Sequence, residues 1–396
     1  MNVLRVLLLI PSFYGFALFG AAYMLYPFGS GMYEDPVPEL HIICALVVLT
    51  FGLATAWFFL RYRERAQALC TAHGETKGPS WLLTTVLHVI GLVGILEYVR
   101  SLVAHFGSAA DVALRLISSS VDVRTAEVTS IGTQASYLGW IAIWIGLFTE
   151  QRGWKRWFLV TMAILQFAAN LLYIDRTRPM WIMFVCGLLL AVKHLNRLND
   201  KRIAAATCAT LGLFLTLFVG IGAWVGKIDV SSDGIRASAD PVYFYTTSGF
   251  AYLNRILVTE EPDGTLARSL YPFWNGAARI GVVDPPPPQV NEFLSTPRPT
   301  NVGTFLEPMY RDGGILLVAV GVWAHSFGFN WIGLALLRRR TAMCLCGWAV
   351  LCFVDAIAFF TPKYTNTPTW IVVGAASVSL VLGVTTKVSS SDRVCA

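Results

Sequence analysis

The sequence predicts an all-α polytopic membrane protein of about ten transmembrane helices, from its composition, its apolar segments and its loop charges. Hydrophobic residues make up 55% of the chain and charged residues 14%, a balance that soluble globular domains do not have. A helix needs about 20 apolar residues to cross about 30 Å of hydrocarbon. Ten segments qualify, at 4–26, 39–60, 81–104, 131–149, 156–173, 179–195, 203–226, 313–336, 341–360 and 369–386. We therefore treat residues 1–396 as one integral membrane domain, and we expect the first segment to be retained, because it is too long for a signal-peptide core.

The loop charges predict the topology. Four loops are rich in Arg and Lys, and they follow the second, fourth, sixth and eighth segments at 61–65, 151–156, 193–202 and 338–340. Because basic loops stay in the cytoplasm, both termini are predicted to be cytoplasmic. The net charge of +6 is dispersed along the chain, so it does not indicate a nucleic-acid partner.

Most of the predicted external sequence lies in two segments. Residues 227–312 form a large loop between helices seven and eight, and it contains ten of the 18 prolines. Its aromatic content favours an ordered structure over disorder, with a short helix on the membrane or over a cavity. Residues 106–130 carry an amphipathic pattern and are expected to lie along the outer interface.

The cysteines predict neither a disulfide framework nor a metal site. Six of the eight fall within spans and the other two, Cys70 and Cys395, fall on the predicted cytoplasmic side. Small apolar packing residues are the better interpretation. The external loops also lack a carboxylate pair of the DxD type, so no metal or other cofactor is expected.

The short external turn YIDRTRP (173–179) breaks the charge rule with Arg176 and Arg178 beside Asp175. One interpretation is that both arginines extend toward lipid phosphates. The other is that they hold an anion, because guanidinium groups bind phosphate bidentately and stay charged. An external cavity with Arg, carboxylate and aromatic side chains would suit a lipid-linked, phosphate-bearing substrate that carries sugar.

The run TNVGTFLEPMYRDGG at 300–314 resembles the TN-x-x-T…Y-x-D-F-G signature of the O-antigen (oligosaccharide repeat unit) polymerase family, the Wzy type. The Arg turn with its following apolar helix, and the stretches YFYTTSGFAYLNRIL and LYPFWNGAARIGVV, are similar to further family segments. Together these matches cover about residues 170–320. The chain departs from the signature at Gly313, where the family usually carries Phe.

The resemblance implies a GT-C-like fold and an active site that faces the periplasm from a bacterial inner membrane. A growing glycan on undecaprenyl diphosphate would be transferred to the nonreducing end of another undecaprenyl-diphosphate-linked repeat unit. A chain-length regulator and a flippase would be the protein partners, beside membrane lipids. Because a sugar hydroxyl would displace undecaprenyl diphosphate in one step, the reaction would invert the anomeric configuration.

The charged residues of the predicted external segments supply candidates for binding the diphosphate and for the base. Fixed cations stabilise the charge that develops on a leaving diphosphate, and the residues predicted for this role are Arg176, Arg178, Arg255, Arg279 and Arg311. We interpret Arg236, Arg268 and Arg298 as ordinary loop charges. A carboxylate within hydrogen-bond reach of the acceptor hydroxyl would serve as base, and the candidates are Asp312, Glu307 and Asp175. Each of the three could instead only pair with a neighbouring Arg.

Aromatic and intramembrane polar side chains add further candidates. The aromatic residues predicted to stack on sugar rings are Tyr310, Tyr243, Tyr245, Tyr271 and Trp274, although core packing is the more frequent role for any one of them. Asp355 could face the cavity from the outer half of helix nine. His325 could be functional or could be a satisfied hydrogen-bonding residue between helices.

Three other functions compete with a polymerase. An O-antigen ligase uses similar donors but transfers the glycan to lipid A core. A lipid-linked oligosaccharide transporter would contain repeats and paired interrupted helices, and none is evident in the sequence. A membrane acyltransferase would need a nucleophile and base at one face, and no such set stands out.

If the two arginines of the turn hold the diphosphate, Arg176→Ala and Arg178→Ala should each abolish in-vitro extension of a purified undecaprenyl-diphosphate repeat unit. Loss of one such donor costs about 3–4 kcal/mol of transition-state stabilisation. The measurement is the ladder of products from folded protein. Ladders that persist in both variants would mean that the two arginines are ordinary surface charges and do not hold the diphosphate.

Overall fold

A computed structural model describes residues 3–29, 33–71, 79–118, 131–149, 151–173, 177–194, 205, 235–289, 291–296, 299–339 and 341–381. The helices of the first half are α1 (Val3–Leu7), α2 (Pro11–Leu25), α3 (Pro38–Thr71), α4 (Trp81–Phe106), α5 (Ala109–Ser118), α6 (Ile131–Gly146), α7 (Trp154–Asn170) and α8 (Thr177–His194). Those of the second half are α9 (Ile235–Thr259), α10 (Tyr271–Arg279), α11 (Glu307–Arg339), α12 (Ala342–Ala356) and α13 (Thr367–Val381). Short 3₁₀ turns occur at Tyr26–Gly29, Leu171–Tyr173 and Lys363–Thr365.

The prediction of an all-α membrane protein is confirmed. Four helical stretches are long and apolar enough to cross a membrane, at Pro38–Arg63, Trp81–Phe106, Trp154–Tyr173 and Glu307–Arg339. Helices α12 and α13 are apolar but shorter. Among the described residues, β structure is limited to an antiparallel pair, β1 (Leu294–Ser295) with β2 (Pro299–Thr300). The predicted segment 203–226 lies outside the described residues except for residue 205, so the number of ten spans stays a prediction.

Helix α12 lies at the centre of the bundle. Every residue of this helix except Met343 is buried, which is typical of a helix that is apolar all round. Trp348 packs among the neighbouring helices and donates its indole N–H to the carbonyl oxygen of Leu9 at 3.0 Å. Phe353 stacks on Trp181 of α8, with ring centroids 5.0 Å apart. The first, middle and last thirds of the chain therefore share one core.

Glycine allows α4 and α6 to approach each other closely. A Cβ atom on Gly94 would lie 2.5 Å from the carbonyl oxygen of Gly132, and one on Gly91 would lie 2.6 Å from the backbone of Gly139. Small residues at helix contacts are the usual way in which membrane helices pack, since lipid is as apolar as their side chains. These glycines therefore fix the spacing of the first half of the bundle.

One end of the bundle gathers the connections that the sequence predicts to be cytoplasmic. The guanidinium of Arg338 lies 5.6 Å from the ring centre of Tyr62, which joins the ends of α11 and α3. Lys193, at the end of α8, donates to the carbonyl oxygen of Leu147 after α6. Both contacts join helix ends that the loop charges predict to be cytoplasmic.

The opposite end gathers the segments that are predicted to be external, and we call it the site end. The backbone N–H of Val37 donates to Asn254 of α9 at 2.8 Å. Lys363 reaches Thr177 at the start of α8, and Val112 of α5 packs in a cluster with Tyr173. These contacts involve five segments that the sequence predicts to be external.

Helix α11 is broken at Gly313 and Gly314. The backbone of Gly314 has φ 65° and ψ −159°, a region that only glycine occupies readily. A Cβ atom on Gly313 would lie 2.7 Å from Cβ of Leu317, so a Phe at this position would not fit without rearrangement. The break separates Glu307–Asp312 from the long apolar part of the helix and places this first part at the site end.

The close approach of α4 and α6 can be tested with matched alanine substitutions. Gly94→Ala should destabilise the folded protein by about 1–3 kcal/mol, because the added methyl meets backbone that cannot rotate away. Gly374→Ala is the control, since nothing lies within 4 Å of a Cβ atom there and alanine favours the helix. The measurement is thermal unfolding in detergent, and equal melting temperatures for the two variants would contradict the packing.

Candidate functional site

Asp312 organises the polypeptide in front of α10. Its carboxylate is fully buried and accepts the backbone N–H of Ser269 at 2.7 Å and that of Arg268 at 3.2 Å. The guanidinium of Arg268 lies 3.7 Å away and also pairs with Asp263. Buried carboxylates need such donors. Asp312 therefore holds residues 263–269 against the start of α11, with every observed contact made inside the protein.

Glu307 is the second buried carboxylate, one and a half turns earlier on α11. Only 2% of the residue is exposed. One oxygen lies 3.2 Å from Nε of Arg311, and the other accepts the side-chain amide of Asn291 at 3.1 Å. Arg311 in turn donates to Glu260 at 2.7 Å. This geometry leaves Glu307 less completely surrounded by donors than Asp312.

A small, partly open cavity lies beside Glu307. Its walls come from four regions of the chain, and the lining residues are Arg268, Tyr271, Pro288, Gln289, Asn291, Glu307, Pro308, Pro362 and Thr365. The wall is closed by Gln289, whose side-chain amide donates to the carbonyl oxygen of Thr365 at 3.1 Å. The mixture of amides, a guanidinium, a carboxylate and an aromatic ring can hydrogen-bond and stack on a polar ligand such as a hydroxylated ring.

The connection between α12 and α13 forms the far wall of the cavity. Tyr364 is buried there, beside the hydroxyl of Ser269 and close to Glu307, and burial together with that carboxylate raises the pKa of Tyr364 well above its ordinary value. The phenol therefore stays protonated at neutral pH. Its neighbour Lys363 is 8% exposed, and Nζ of Lys363 lies 3.3 Å from the hydroxyl of Thr177.

Arg178 follows Thr177 in the first turn of α8 and lies among aromatic rings. Its guanidinium carbon is 3.6 Å from the ring centre of Tyr173 and 5.1 Å from that of Tyr137. It also donates to the Tyr137 hydroxyl at 3.2 Å. Such cation–π packing fixes the direction of the side chain. Arg178 and Lys363 thus bring two positive charges to the start of α8, where the helix dipole adds to them.

Charge separates the two sides of the Lys363–Thr365 turn. On the cavity side we define the carboxylate cluster as Glu260, Asp263, Arg268, Glu307, Arg311 and Asp312. Its two guanidinium groups and four carboxylates give a formal net charge of −2 when all are ionised. Asp263 is ionised, because hydrogen bonds from Arg268 and Thr265 outweigh the effect of burial and lower its pKa. The cluster therefore suits a neutral hydroxyl group better than an anion such as phosphate.

Four other charged residues were predicted to belong to the site, namely Asp175, Arg176, Arg255 and Arg279. Asp175 and Arg176 lie outside the described residues. Arg255 pairs with Glu34 at 3.1 Å, with both side chains largely exposed, and Arg279 is exposed at the end of α10. The structure therefore brings Glu307, Arg311 and Asp312 together and leaves Arg255 and Arg279 outside the cavity walls.

Of the predicted aromatic residues, Tyr271 lines the cavity and the others do not. Tyr243 donates its hydroxyl to the carbonyl oxygen of Tyr26 and packs beside Tyr33. Trp274 donates to the carbonyl oxygen of Asp284, and Tyr310 is half-buried on α11. Tyr271 is the aromatic residue of the cavity wall, and it belongs to the stretch that carried the family resemblance.

His325 and Asp355 form a buried pair deeper in the bundle. Their side chains are 2.6 Å apart, and Phe329 lies 4.0 Å from the imidazole ring centre. Apolar and aromatic side chains separate this pair from the cavity, apart from Tyr364, whose ring lies 5.5 Å from that of His325. The pair satisfies two buried polar groups and links α11 to α12.

Sequence reasoning missed Arg268 and Lys363. Arg268 was interpreted as an ordinary loop charge, and only its position beside Asp312 shows that it lines the cavity. The connection TPKYTNTP (361–368) was not singled out. Its single Lys between two apolar segments on the predicted external side resembles the pattern that drew attention to Arg176 and Arg178, so the same charge argument would have found it.

Comparison of the chain with protein-family models, curated proteins and solved structures finds no significant match. Functional assignment therefore depends on the geometry of the site and on the sequence resemblance.

The role of Asp312 as an anchor can be tested by substitution. Asp312→Ala should destabilise the protein by about 1–3 kcal/mol, because two buried backbone N–H groups lose their acceptor. Asp312→Asn keeps one acceptor oxygen and should recover part of that stability. The measurement is thermal unfolding of the purified protein. If both variants melt at the wild-type temperature, the carboxylate does not hold residues 263–269.

Proposed function

We propose that this protein is a membrane glycosyltransferase that polymerises lipid-linked oligosaccharide repeat units. The glycan passes from undecaprenyl diphosphate to the nonreducing end of another undecaprenyl-diphosphate-linked repeat unit, on the periplasmic side of a bacterial inner membrane. The single observation that carries the proposal is the cavity with the buried carboxylate of Glu307 on one wall and the cationic start of α8 behind the other. The resemblance to the Wzy-type family, the GT-C-like fold and the ten spans belong to the same proposal.

Glu307 is the general base of this proposal. It lines the cavity, it is buried, and its partners Arg311 and Asn291 contact it through side chains that a sugar hydroxyl can displace or join. Asp312 is the weaker candidate, because its oxygens are occupied by backbone N–H groups. A base in contact with the acceptor hydroxyl contributes about 10²–10⁴ in rate.

The leaving diphosphate is assigned to the α8 side. Lys363 and Arg178 supply cations there, and Arg176, which precedes them in sequence, is the third candidate. Positive charge fixed where a diphosphate departs lowers the barrier without reorganisation. Arg311 is not assigned to the diphosphate, because two carboxylates neutralise its charge. Its role in this proposal is to orient Glu307.

The experiment is extension of a purified undecaprenyl-diphosphate repeat unit by protein in nanodiscs. Glu307→Gln keeps the shape and should lower kcat by about 10²–10⁴, and Lys363→Gln should lower it by about 10²–10³ through the lost cation. The matched controls are Glu97→Gln, from an exposed pair with Arg100, and Lys155→Gln, which packs on Trp81 at the other end of the bundle.

The outcomes separate the competing functions. Unchanged ladders from Glu307→Gln and Lys363→Gln, with folded protein recovered, would remove these residues from the mechanism. Transfer of the glycan to lipid A core, without ladders, would identify a ligase that uses the same cavity. Movement of the lipid-linked glycan across the bilayer without transfer would identify a transporter.

A further inference from the structure

Helix α10 carries an exposed apolar stripe beside the cavity. None of its residues is buried. Leu270 directly before the helix, Phe273 within it and Ile280 directly after it are 44%, 55% and 78% exposed, and their spacing of three and seven residues puts them on the same side as Ala277. Large apolar side chains in such a row are costly in water, at about 25 cal/mol for each Å² that stays exposed.

The opposite face of α10 is polar and turns toward the site. Tyr271, Asn275 and Arg279 follow one another at intervals of four residues, and Tyr271 lines the cavity. Arg279 ends the helix, where a cation also complements the helix dipole. One side of α10 is therefore a wall of the cavity, while the other side faces away from it.

The apolar stripe continues a surface that already belongs to the membrane. The ring centroid of Phe273 lies 5.2 Å from that of Trp370 in the first turn of α13. Trp370 is fixed by its indole N–H, which donates to the carbonyl oxygen of Tyr364. Helix α13 is apolar along its length and exposes Val378 and Val381 further on. The stripe and the outer surface of α13 are thus contiguous at Phe273.

We propose that α10 is a membrane-interface helix whose stripe of Leu270, Phe273 and Ile280 inserts into the hydrocarbon edge of the bilayer beside α13. Its polar face and Arg279 then lie at the level of the lipid headgroups, as in other interfacial helices. Because Tyr271 of the polar face lines the cavity, the cavity then lies beside the headgroups, and the site takes a substrate anchored in the bilayer rather than one dissolved in water. The identity of that substrate rests on the proposed function, whereas the position of the helix does not.

The position of α10 can be measured without any assay of activity. The full chain is placed in nanodiscs of phosphatidylethanolamine and phosphatidylglycerol, with the photoreactive residue p-benzoylphenylalanine at position 273, 280 or, as the matched control on the polar face, 275. Illumination should attach phospholipid acyl chains at 273 and 280 and not at 275, as detected by mass spectrometry of the digested protein. Absence of lipid adducts at 273 and 280, or equal adducts at 275, would overturn the proposal.

A kinetic measurement tests the consequence for the substrate. Phe273→Ser should raise KM for a lipid-linked repeat unit about tenfold, which corresponds to about 1.4 kcal/mol, and leave kcat unchanged, because Phe273 lies on the face of α10 that is turned away from the cavity. A fall in kcat with unchanged KM would contradict this role. Lipid adducts at 273 and 280 in a protein that extends no glycan would preserve the interfacial helix and reject the proposed function instead.

Discussion

The free-energy cost of burying a carboxylate at the end of an apolar bundle is the constraint on which the site depends. Asp312 is fully buried, and an ionised group in that position needs donors from the protein. The donors are backbone N–H groups of Ser269 and Arg268, so the segment in front of α10 must fold against α11. That arrangement in turn places Arg268 and Tyr271 on the cavity wall.

Glu307 is also a buried carboxylate that needs hydrogen-bond donors, but its donors are side chains and not backbone N–H groups. Its partners are two side chains, Arg311 and Asn291, which hold the carboxylate without enclosing it. A group that is buried, partly satisfied and next to a cavity is available for proton transfer. The helix break at Gly313–Gly314 makes both environments possible, because it detaches Glu307–Asp312 from the apolar helix that follows.

The sequence predicted the fold class well because apolar length and loop charge act over many residues at once. Described residues of segments that alternating charge predicts to be external do contact each other, as Val37 contacts Asn254 and Lys363 contacts Thr177. Helix contacts through Gly91 and Gly94 were not predictable, since glycine in a span carries no signal about its neighbour. The span count and the sidedness of the membrane stay predictions.

Prediction of the site was partial for a physical reason. Glu307 and Asp312 were singled out because they flank Arg311 in the run that resembles the family signature. The difference between them depends on which donors fold against each oxygen, and that is a property of tertiary structure. Arg268 and Lys363 were missed because their importance comes from long-range partners, Asp312 and Thr177. Tyr243 and Trp274 illustrate the converse, since packing and local hydrogen bonds occupy them.

The most direct test of the account is an experimental structure of the protein in nanodiscs with undecaprenyl diphosphate bound. The account predicts diphosphate density at the start of α8, within hydrogen-bond reach of Lys363, with the cavity beside Glu307 left open for the acceptor sugar. Diphosphate density within the carboxylate cluster, or at the opposite end of the bundle near Arg338, would contradict the division of the site into a cationic and an acidic side.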